Sequence, residues 1–249
     1  MKKLMFPLLI LLTLSACKTT DPNDPLTLLK EVDPEAINSL SPKEIKDGWT
    51  LLSDGTSFIG WHGFNMERIP DCWTIEDGAF TMNTEGGSES QDIVTDQVYS
   101  NFALYAEFKL TPGANSGIMF QVAEDTIYHY PYETGPEYQV IDDKGWPDKL
   151  ENWQTCGANY AMYPPLADAN LPVGEWNKAF IVVNGNHVTQ FLNGVKTAEY
   201  EKYSEEWTQL RNSGKWASFP DYGKYDEGRI ALQNHGTRVW FRNIKLKTL

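Results

Sequence analysis

The chain of 249 residues carries 34 acidic and 21 basic side chains, for a formal net charge of −13. This acidic balance argues against a nucleic-acid partner and against charge-driven binding to an anionic membrane. The length allows one sizeable core or two small ones. Aromatic residues make up 13% of the chain, with nine Trp, which fits either a large core or platforms that stack on sugar rings.

The first residues have the pattern of an export signal. Lys2 and Lys3 precede the apolar residues 4–14, a run too short to span a bilayer. Residues 14–17 read Leu-Ser-Ala-Cys, the lipobox pattern, so we predict that residues 1–17 are a lipoprotein signal and that Cys17 is acylated. An ordinary cleaved signal with an incidental Cys is the alternative. The predicted location is the cell envelope, on the periplasmic or outer-membrane face, with lipid as the only membrane contact.

Residues 18–46 are rich in Thr, Asp, Asn and Pro. This composition predicts a polar tether that lifts the following domain off the membrane, with a short helix allowed around residues 33–40. Regular structure is expected from Trp49 onward. We therefore predict one domain over residues 47–249.

Short runs of aromatic and β-branched residues, separated by Gly, Asn, Asp and Pro, recur through this domain and predict strands. The predicted strands are residues 49–52, 73–75, 78–82, 92–94, 102–110, 116–122, 137–141, 177–184, 187–192, 195–200, 229–233 and 239–247. Asn-Gly pairs at 184–185 and 193–194 are hairpin turn signals, so residues 177–200 should form a three-stranded meander. One helix is allowed at 204–212. The pattern predicts an all-β, two-sheet jelly-roll sandwich.

Strand alternation predicts which polar side chains share a face. It turns Glu107, Glu137, Gln139, Gln233 and His235 away from the core. If their strands are neighbours in one sheet, these faces form a polar groove. The sequence lacks a Ser/His/Asp signature and the E-x-D-x-E strand of many β-sandwich glycosidases, which argues against classical retaining hydrolysis.

An ordered set of motifs runs through the predicted domain. The motifs are Asn115-Ser116-Gly117-Ile118, Gly135-x-Glu137-Tyr138-Gln139-Val140-Ile141-Asp142, Gly174-Glu175-Trp176-Asn177, Asn193-Gly194, Leu232-Gln233-x-His235-Gly236 and Phe241-Arg242-Asn243-Ile244. The set resembles the 3-keto-disaccharide hydrolase family, also called 3-keto-glucoside 1,2-lyases or 3-keto-2-hydroxyglucal hydratases, from about residue 48 to 247. The resemblance implies a concanavalin-A-like jelly roll. Trp146 and Asn234 stand where some relatives carry His and Asp.

The resemblance also implies a reaction. A partner sugar 3-oxidoreductase first converts the C3 hydroxyl of a glycoside to a ketone, which acidifies the C2 hydrogen. A base then removes that hydrogen, the C1 substituent leaves by β-elimination, and water can add back for net hydrolysis. Such a route needs a base, a group or divalent metal that stabilises the enediolate, and an acid for the leaving oxygen.

Motif and strand alternation together suggest the groups that carry this chemistry. Glu137 is the predicted base or metal ligand, and His235 the predicted acid, base or ligand. Glu107 would complete a carboxylate–imidazole site with them. The structural alternatives are a carboxylate that ties down a loop and a loop histidine bonded to backbone.

Further residues are expected to bind substrate, some of them with structural alternatives. Gln139 and Gln233 would bind sugar hydroxyls or form an amide ladder across the sheet. Tyr160 would line the groove, and His129 lies in an aromatic loop that could cover it. The full set of predicted substrate-binding residues is Gln139, Gln233, Tyr160, Asn115, His129 and Asp142.

Three questions stay open at this point. A non-catalytic carbohydrate-binding jelly roll and a conventional glycoside hydrolase are the rival functions. No metal is established by the sequence. Cys72 and Cys156 could form a disulfide or remain free thiols.

Overall fold

The computed structural model describes residues 23–82 and 91–249. The predicted signal and its Cys17 lie outside the described residues. Within those two ranges, no helix is both long and apolar enough to cross a membrane.

The described residues form thirteen strands and three α-helices. The strands are β1 (Trp49–Leu51), β2 (Trp61–Gly63), β3 (Trp73–Glu76), β4 (Ala79–Met82), β5 (Ile93–Thr95), β6 (Phe102–Leu110), β7 (Asn115–Val122), β8 (Glu137–Ile141), β9 (Trp176–Asn184), β10 (His187–Leu192), β11 (Val195–Glu201), β12 (Arg229–Leu232) and β13 (Val239–Thr248). The helices are α1 (Pro25–Leu29), α2 (Pro42–Lys46) and α3 (Glu205–Asn212). Apart from β2, every strand overlaps one that the sequence predicts, and α3 falls in the allowed helical segment.

The strands assemble into two antiparallel sheets that face each other. The larger has the order β11-β10-β9-β6-β13-β4-β3, with β1 also paired to β13, and the smaller has the order β2-β5-β12-β7-β8. The core between them includes Phe80, Phe108, Phe120, Tyr138 and Phe241, all essentially inaccessible to solvent. The prediction of an all-β, two-sheet sandwich is confirmed.

The predicted meander is formed by β9, β10 and β11. Asn193 and Gly194, which join β10 to β11, both have positive φ angles, 52° and 81°. A two-residue turn of this hand requires two left-handed residues, and Asn-Gly supplies them at low steric cost. The local sequence therefore sets this hairpin.

Strict alternation along β7 fails near its end. It would turn Val122 into the core, but Gln121 has a φ of 52°, and the register between β12 and β7 shifts at Arg229/Ala231. Val122 instead packs with Met119 on the outer face, while Gln121 is buried and accepts a 2.8 Å hydrogen bond from Nζ of Lys202. An irregularity of this kind reverses the faces of the residues beyond it.

The segment expected to be a polar tether packs against the domain over its described part. Leu28 and Val32 are buried with Trp49, Tyr105 and Phe180 on the outer face of the larger sheet. The expected helix at 33–40 does not form; α1 and α2 flank that segment instead. A few apolar side chains in a polar stretch are enough to attach it, because they cover an apolar sheet face.

A buried ion pair also holds this segment in place. Nζ of Lys245, on β13, lies 2.7 Å from Oε1 of Glu44 on α2, and both side chains are inaccessible to solvent. The same ammonium donates to the Asp33 carbonyl at 3.2 Å. Residues 23–46, which we call the N-terminal layer, thus pack as part of the fold.

Candidate active site

A cleft of about 280 Å³ opens beside the smaller sheet. The described residues that line it are Asp92, Tyr130, Tyr132, Gln233, Asn234, His235 and Gly236. A larger cavity of about 390 Å³ lies elsewhere, among loops that include Asp142 and Asp143. Of these two cavities, only the cleft of about 280 Å³ is lined by the predicted residues Gln233 and His235. This cleft is therefore the candidate active site.

Glu137 begins β8 and lies on the outer face of the smaller sheet. Its carboxyl occupies the space above Gly117 on β7, where an added Cβ would come within 2.6 Å of Oε1. The residue is 3% exposed, and within the described part of the chain its carboxyl has no hydrogen bond or ion pair. Burial raises its pKa to about 7, against the lowering effect of the Lys215 charge. A buried, unpartnered carboxyl of this kind can take up a proton near neutral pH.

Asp92 is a second buried carboxyl, and it lines the cleft. It immediately precedes β5, is 7% exposed, and its Oδ1 accepts a 2.7 Å hydrogen bond from the backbone N–H of Asn234. Burial raises its pKa to about 7; the Asn234 hydrogen bond opposes this rise and the charge of Glu137 adds to it. The charge of Glu137 thus adds to the rise in the pKa of Asp92, with burial as the main cause.

Lys215 brings a positive charge to the same place. It opens the 3₁₀ helix Lys215–Ser218, after Gly214, whose φ is 81°. Its ammonium lies over the rings of Tyr160, Trp216 and Tyr132, at 4.5, 4.6 and 4.8 Å from their centroids. Burial of the ammonium lowers the pKa of Lys215, and the charge of Glu137 partly restores it.

His235 stands at the rim of the cleft. The residue is exposed, and its ring meets Trp146 edge-on with 6.1 Å between centroids. Partial desolvation lowers its pKa, and the positive charge of Lys215 lowers it further. The neutral imidazole that results can accept or donate a proton at the cleft mouth.

Aromatic side chains flank these polar groups. Tyr130 and Tyr132 stack with their centroids 5.0 Å apart and their planes 9° apart. Tyr160 donates its backbone N–H to the Glu137 carbonyl at 2.9 Å, and its ring packs edge-on against Trp216. Rings at a polar cleft are suited to pack against the apolar face of a sugar.

The prediction that Glu107 shares this site is wrong. Glu107 lies on β6 of the larger sheet, on the outer face at the opposite side of the sandwich. Its carboxylate binds Nε of Arg242 at 2.8 Å, Nδ2 of Asn243 at 3.1 Å and the hydroxyl of Tyr105 at 3.0 Å. Alternation placed it correctly on an outer face, but β6 and β8 belong to different sheets.

Three of the predicted substrate-binding side chains lie outside the lining of the cleft, and two of them are bonded locally. Asp142 is tied to its loop, because Oδ2 accepts from the Gly113 N–H at 2.9 Å and Oδ1 from the Lys144 N–H at 3.2 Å. Gln139 is buried and donates to the Gln154 carbonyl at 3.1 Å. His129 is exposed, outside the lining of the cleft. None of the three contributes to the site as described.

Two others lie nearer. Gln233 lines the cleft and is held by a backbone hydrogen bond to the Gly117 carbonyl at 3.0 Å. Asn115 is buried at the start of β7, next to the loop that carries His235, since its N–H donates to Oγ1 of Thr237. Its Oδ1 has no partner among the described residues.

Asp92 and Lys215 were missed by the sequence reasoning. Asp92 sat at the edge of a predicted strand, where an acid usually caps a turn. Lys215 sat in a segment with no strand or helix pattern, and nothing local indicates that Tyr132 and Tyr160 from distant segments join Trp216 around it. The one available sequence signal was for Asp92, an acid directly before an apolar strand, and it is a weak signal.

The metal prediction finds no complete ligand set. Across residues 23–82 and 91–249, no group of three His, Cys, Asp or Glu side chains is arranged to hold a metal ion. Glu137 and His235 as metal ligands therefore stay a prediction, and no step below depends on one. Cys72 and Cys156 are free thiols in the structure.

Comparison with known proteins decides the family. The sequence model of the 3-keto-alpha-glucoside-1,2-lyase-like domain matches residues 48–247. The chain belongs to this family. The resemblance drawn from the motifs is thereby confirmed, and the matched range falls within the predicted domain.

Individual similar proteins agree with the assignment to this family. A Bacteroides thetaiotaomicron protein named 3-keto-disaccharide hydrolase is 35% identical over 246 residues, covering 88% of this chain and 85% of the relative. A crystal structure of a candidate glycosyl hydrolase from Parabacteroides distasonis is 40% identical, with a TM-score of 0.80, over 86% of this chain and 99% of that one. Another from the same organism is 26% identical, with a TM-score of 0.60, over 81% and 84% of the two chains.

Proposed function

We propose that the protein cleaves 3-keto-glycosides, in particular 3-keto-disaccharides, by removing the C2 proton and eliminating the C1 substituent. The observation that carries the proposal is the Glu137 carboxyl, which is buried, unpartnered within the described residues and has a pKa of about 7. Its charge acts on Asp92, which lines a cleft of about 280 Å³. The family and the name of the curated relative support a 3-keto-disaccharide as the substrate class.

The proton at C2 is acidic because it stands next to the C3 ketone. The ionised Glu137 takes this proton, and the C–H electron pair forms the C2=C3 bond while the ketone oxygen becomes an oxyanion. When the C3=O bond re-forms, the electrons move to make C1=C2 and the C1–O bond breaks. A carboxylate with a pKa near 7 is strong enough to act as base and is still ionised in part at neutral pH.

The leaving oxygen needs a proton as the C1–O bond breaks. His235 at the rim and Asp92 inside the cleft are the described groups placed to supply it. Asp92 carries a proton at neutral pH in a fraction of molecules because its pKa is about 7. Addition of water across C1=C2, with a proton returned to C2, then gives the free 3-keto sugar and makes the overall reaction a hydrolysis.

The substrate of the proposed elimination must already carry a ketone at C3, because the C2 hydrogen is acidic only beside it. A sugar 3-oxidoreductase is therefore the class of enzyme that supplies it. We propose that both work in the cell envelope, with this protein held by lipid on Cys17. The basis for that location is the N-terminal lipobox pattern.

Aryl 3-keto-glucosides of both anomers test the reaction. Purified protein should release the aryl alcohol from a 3-keto-glucoside and leave the parent glucoside intact. Glu137→Gln should lower the rate by at least about 100-fold, as expected for loss of a general base. A chelator added in parallel tests for a metal.

Other outcomes identify the rival functions. Cleavage of the parent glucoside would indicate a conventional glycoside hydrolase. Saturable sugar binding, with no release from either anomer, would indicate a carbohydrate-binding module.

A further inference from the structure

The ammonium of Lys215 differs from the two most buried ammonium groups of the described chain. Nζ of Lys202 donates to Oε1 of Gln121, the Tyr225 carbonyl and Oδ1 of Asp226, at 2.8, 2.7 and 3.4 Å. Nζ of Lys245 contacts Glu44 and the Asp33 carbonyl. Within residues 23–82 and 91–249, Nζ of Lys215 makes no hydrogen bond or ion pair and lies over three aromatic rings.

Aromatic rings hold a cation but do not satisfy its N–H donors. Three rings surround Nζ at 4.5 to 4.8 Å and attract it through their π faces. The ammonium has three N–H groups, each of which prefers an oxygen acceptor. The rings fix where the charge sits and leave its donors available for an oxygen of a bound molecule.

The position of this charge relates it to the reaction centre. Its Nζ lies 4.8 Å from the centroid of Tyr132, and Tyr132 itself lines the cleft. Its charge also acts on both Glu137 and His235, so the ammonium is within electrostatic range of the proposed base and of the cleft rim. A sugar that occupies the cleft beside Tyr132 would therefore bring its oxygens close to Lys215.

We propose that Lys215 is a catalytic residue that binds the C3 oxygen of the substrate and stabilises the oxyanion formed there when Glu137 removes the C2 proton. This rests on the proposed function. The C3 oxygen is a neutral ketone in the substrate and carries the negative charge in the enediolate, so an ammonium fixed beside it binds the transition state more tightly than the ground state. Lys215 keeps its proton throughout. The C3 oxygen becomes a ketone oxygen again when the C1–O bond breaks.

Lys215→Met tests the assignment, because Met keeps the length and apolar stem of Lys and removes the charge. Lys109→Met is the matched control, since Nζ of Lys109 also lies over two rings, Trp240 at 4.4 Å and Trp176 at 4.9 Å, on the larger sheet. With a 3-keto-glucoside, kcat of Lys215→Met should fall about 100- to 1,000-fold, the range for loss of one oxyanion donor. Lys109→Met should keep wild-type kcat.

A C2-deuterated substrate separates catalysis from a structural effect. In Lys215→Met, proton removal becomes the slow step, so the deuterium isotope effect on kcat should rise above the wild-type value. Lys215→Arg should recover part of the rate, because it restores a cation. A folded Lys215→Met protein, checked by circular dichroism, with unchanged kcat and isotope effect would overturn the assignment. If wild-type protein fails to act on any 3-keto-glycoside, the proposed function itself fails, which is a different result.

Discussion

The carboxyl of Glu137 occupies the space that a side chain at position 117 would fill. An added Cβ on Gly117 would come within 2.6 Å of Oε1, 2.9 Å of Cγ and 3.0 Å of Cδ of Glu137. The two residues are cross-strand neighbours, because Met119 pairs with Glu137 and Gly117 with Gln139. The glycine in the Asn-Ser-Gly-Ile motif is thus explained by the room that the proposed base requires.

Gly117→Ala should displace Glu137 and reduce turnover of a 3-keto-glucoside by at least about tenfold, since small errors in the position of a base are costly. Overpacking of this kind also costs about 1–3 kcal/mol of stability. Gly63→Ala is the control, because its Cβ would meet Pro70 at 2.8 Å instead of a carboxyl. Steady-state kinetics and urea unfolding of both variants check the prediction. Equal losses of kcat in the two variants would contradict it.

The buried carboxyl of Glu137 should make stability depend on pH. Its pKa is about 7 in the folded protein against an ordinary value of 4.5, so the folded state holds this proton more tightly. Protonated Glu137 therefore stabilises the folded state fully below about pH 4.5, and this contribution to the free energy of unfolding is lost as the pH rises to about 7. Glu137→Gln should be more stable than wild type at pH 8, by on the order of 3 kcal/mol at most.

Urea denaturation of the two proteins at pH 4.5 and pH 8 measures this difference. The difference in unfolding free energy between variant and wild type should narrow at the lower pH, where wild-type Glu137 is protonated in the folded state and about half protonated in the unfolded state. If the difference in unfolding free energy is the same at both pH values, the pKa of Glu137 is not raised in the folded protein.

Asp92→Asn should change the pH profile of the reaction. The charges of Asp92 and Glu137 repel each other, so removing one carboxyl should lower the pKa of the remaining one. The acidic limb of kcat/KM should therefore move to lower pH. A profile measured from pH 5 to pH 9 checks this, and an unmoved acidic limb would show that the carboxyls do not interact.

The basic limb of the same profile identifies the proton donor. If Asp92 protonates the leaving oxygen, Asp92→Asn should lose that limb and its rate should depend on the acidity of the leaving group. If His235 is the donor, the limb remains in Asp92→Asn and is lost in His235→Gln.

Lys245→Met should destabilise the protein without affecting the chemistry. It leaves the buried carboxylate of Glu44 with hydrogen bonds but no countercharge, at a cost of about 3–5 kcal/mol. The double variant Glu44→Gln/Lys245→Met should recover a large part of that loss. Thermal unfolding gives the stabilities, and kcat per folded molecule should stay at the wild-type value in both variants.

The local sequence pattern predicts the strands well, but it predicts poorly how the strands assemble into sheets. Strands 102–110, 137–141 and 187–192 were placed at their observed bounds because alternation and turn residues are local. The same alternation put Glu107 and Glu137 on outer faces, which is correct, but which sheet each strand joins is decided by contacts far apart in sequence. Gln121 shows a further limit, since one left-handed residue reverses every later face.

The residues of the candidate site show the same difference between local pattern and tertiary contact. Glu137, Gln233 and His235 were identified because they belong to recognisable motifs. Asp92 and Lys215 carry no motif, and their importance arises only when burial, repulsion and ring contacts from other segments act on them. The altered proton affinities that make a site reactive are properties of the folded environment, so sequence alone does not provide them.

The N-terminal layer and the cleft lie on opposite outer faces of the sandwich. Only five residues separate Cys17 from Asn23, where the described chain begins, and the six Cα-to-Cα steps between the two can cover at most about 20 Å. If Cys17 carries lipid, the sandwich stands close to the bilayer with its larger sheet toward the lipid. The cleft then opens away from the membrane, so diffusing sugars and a ketone-forming partner enzyme reach it from the aqueous side.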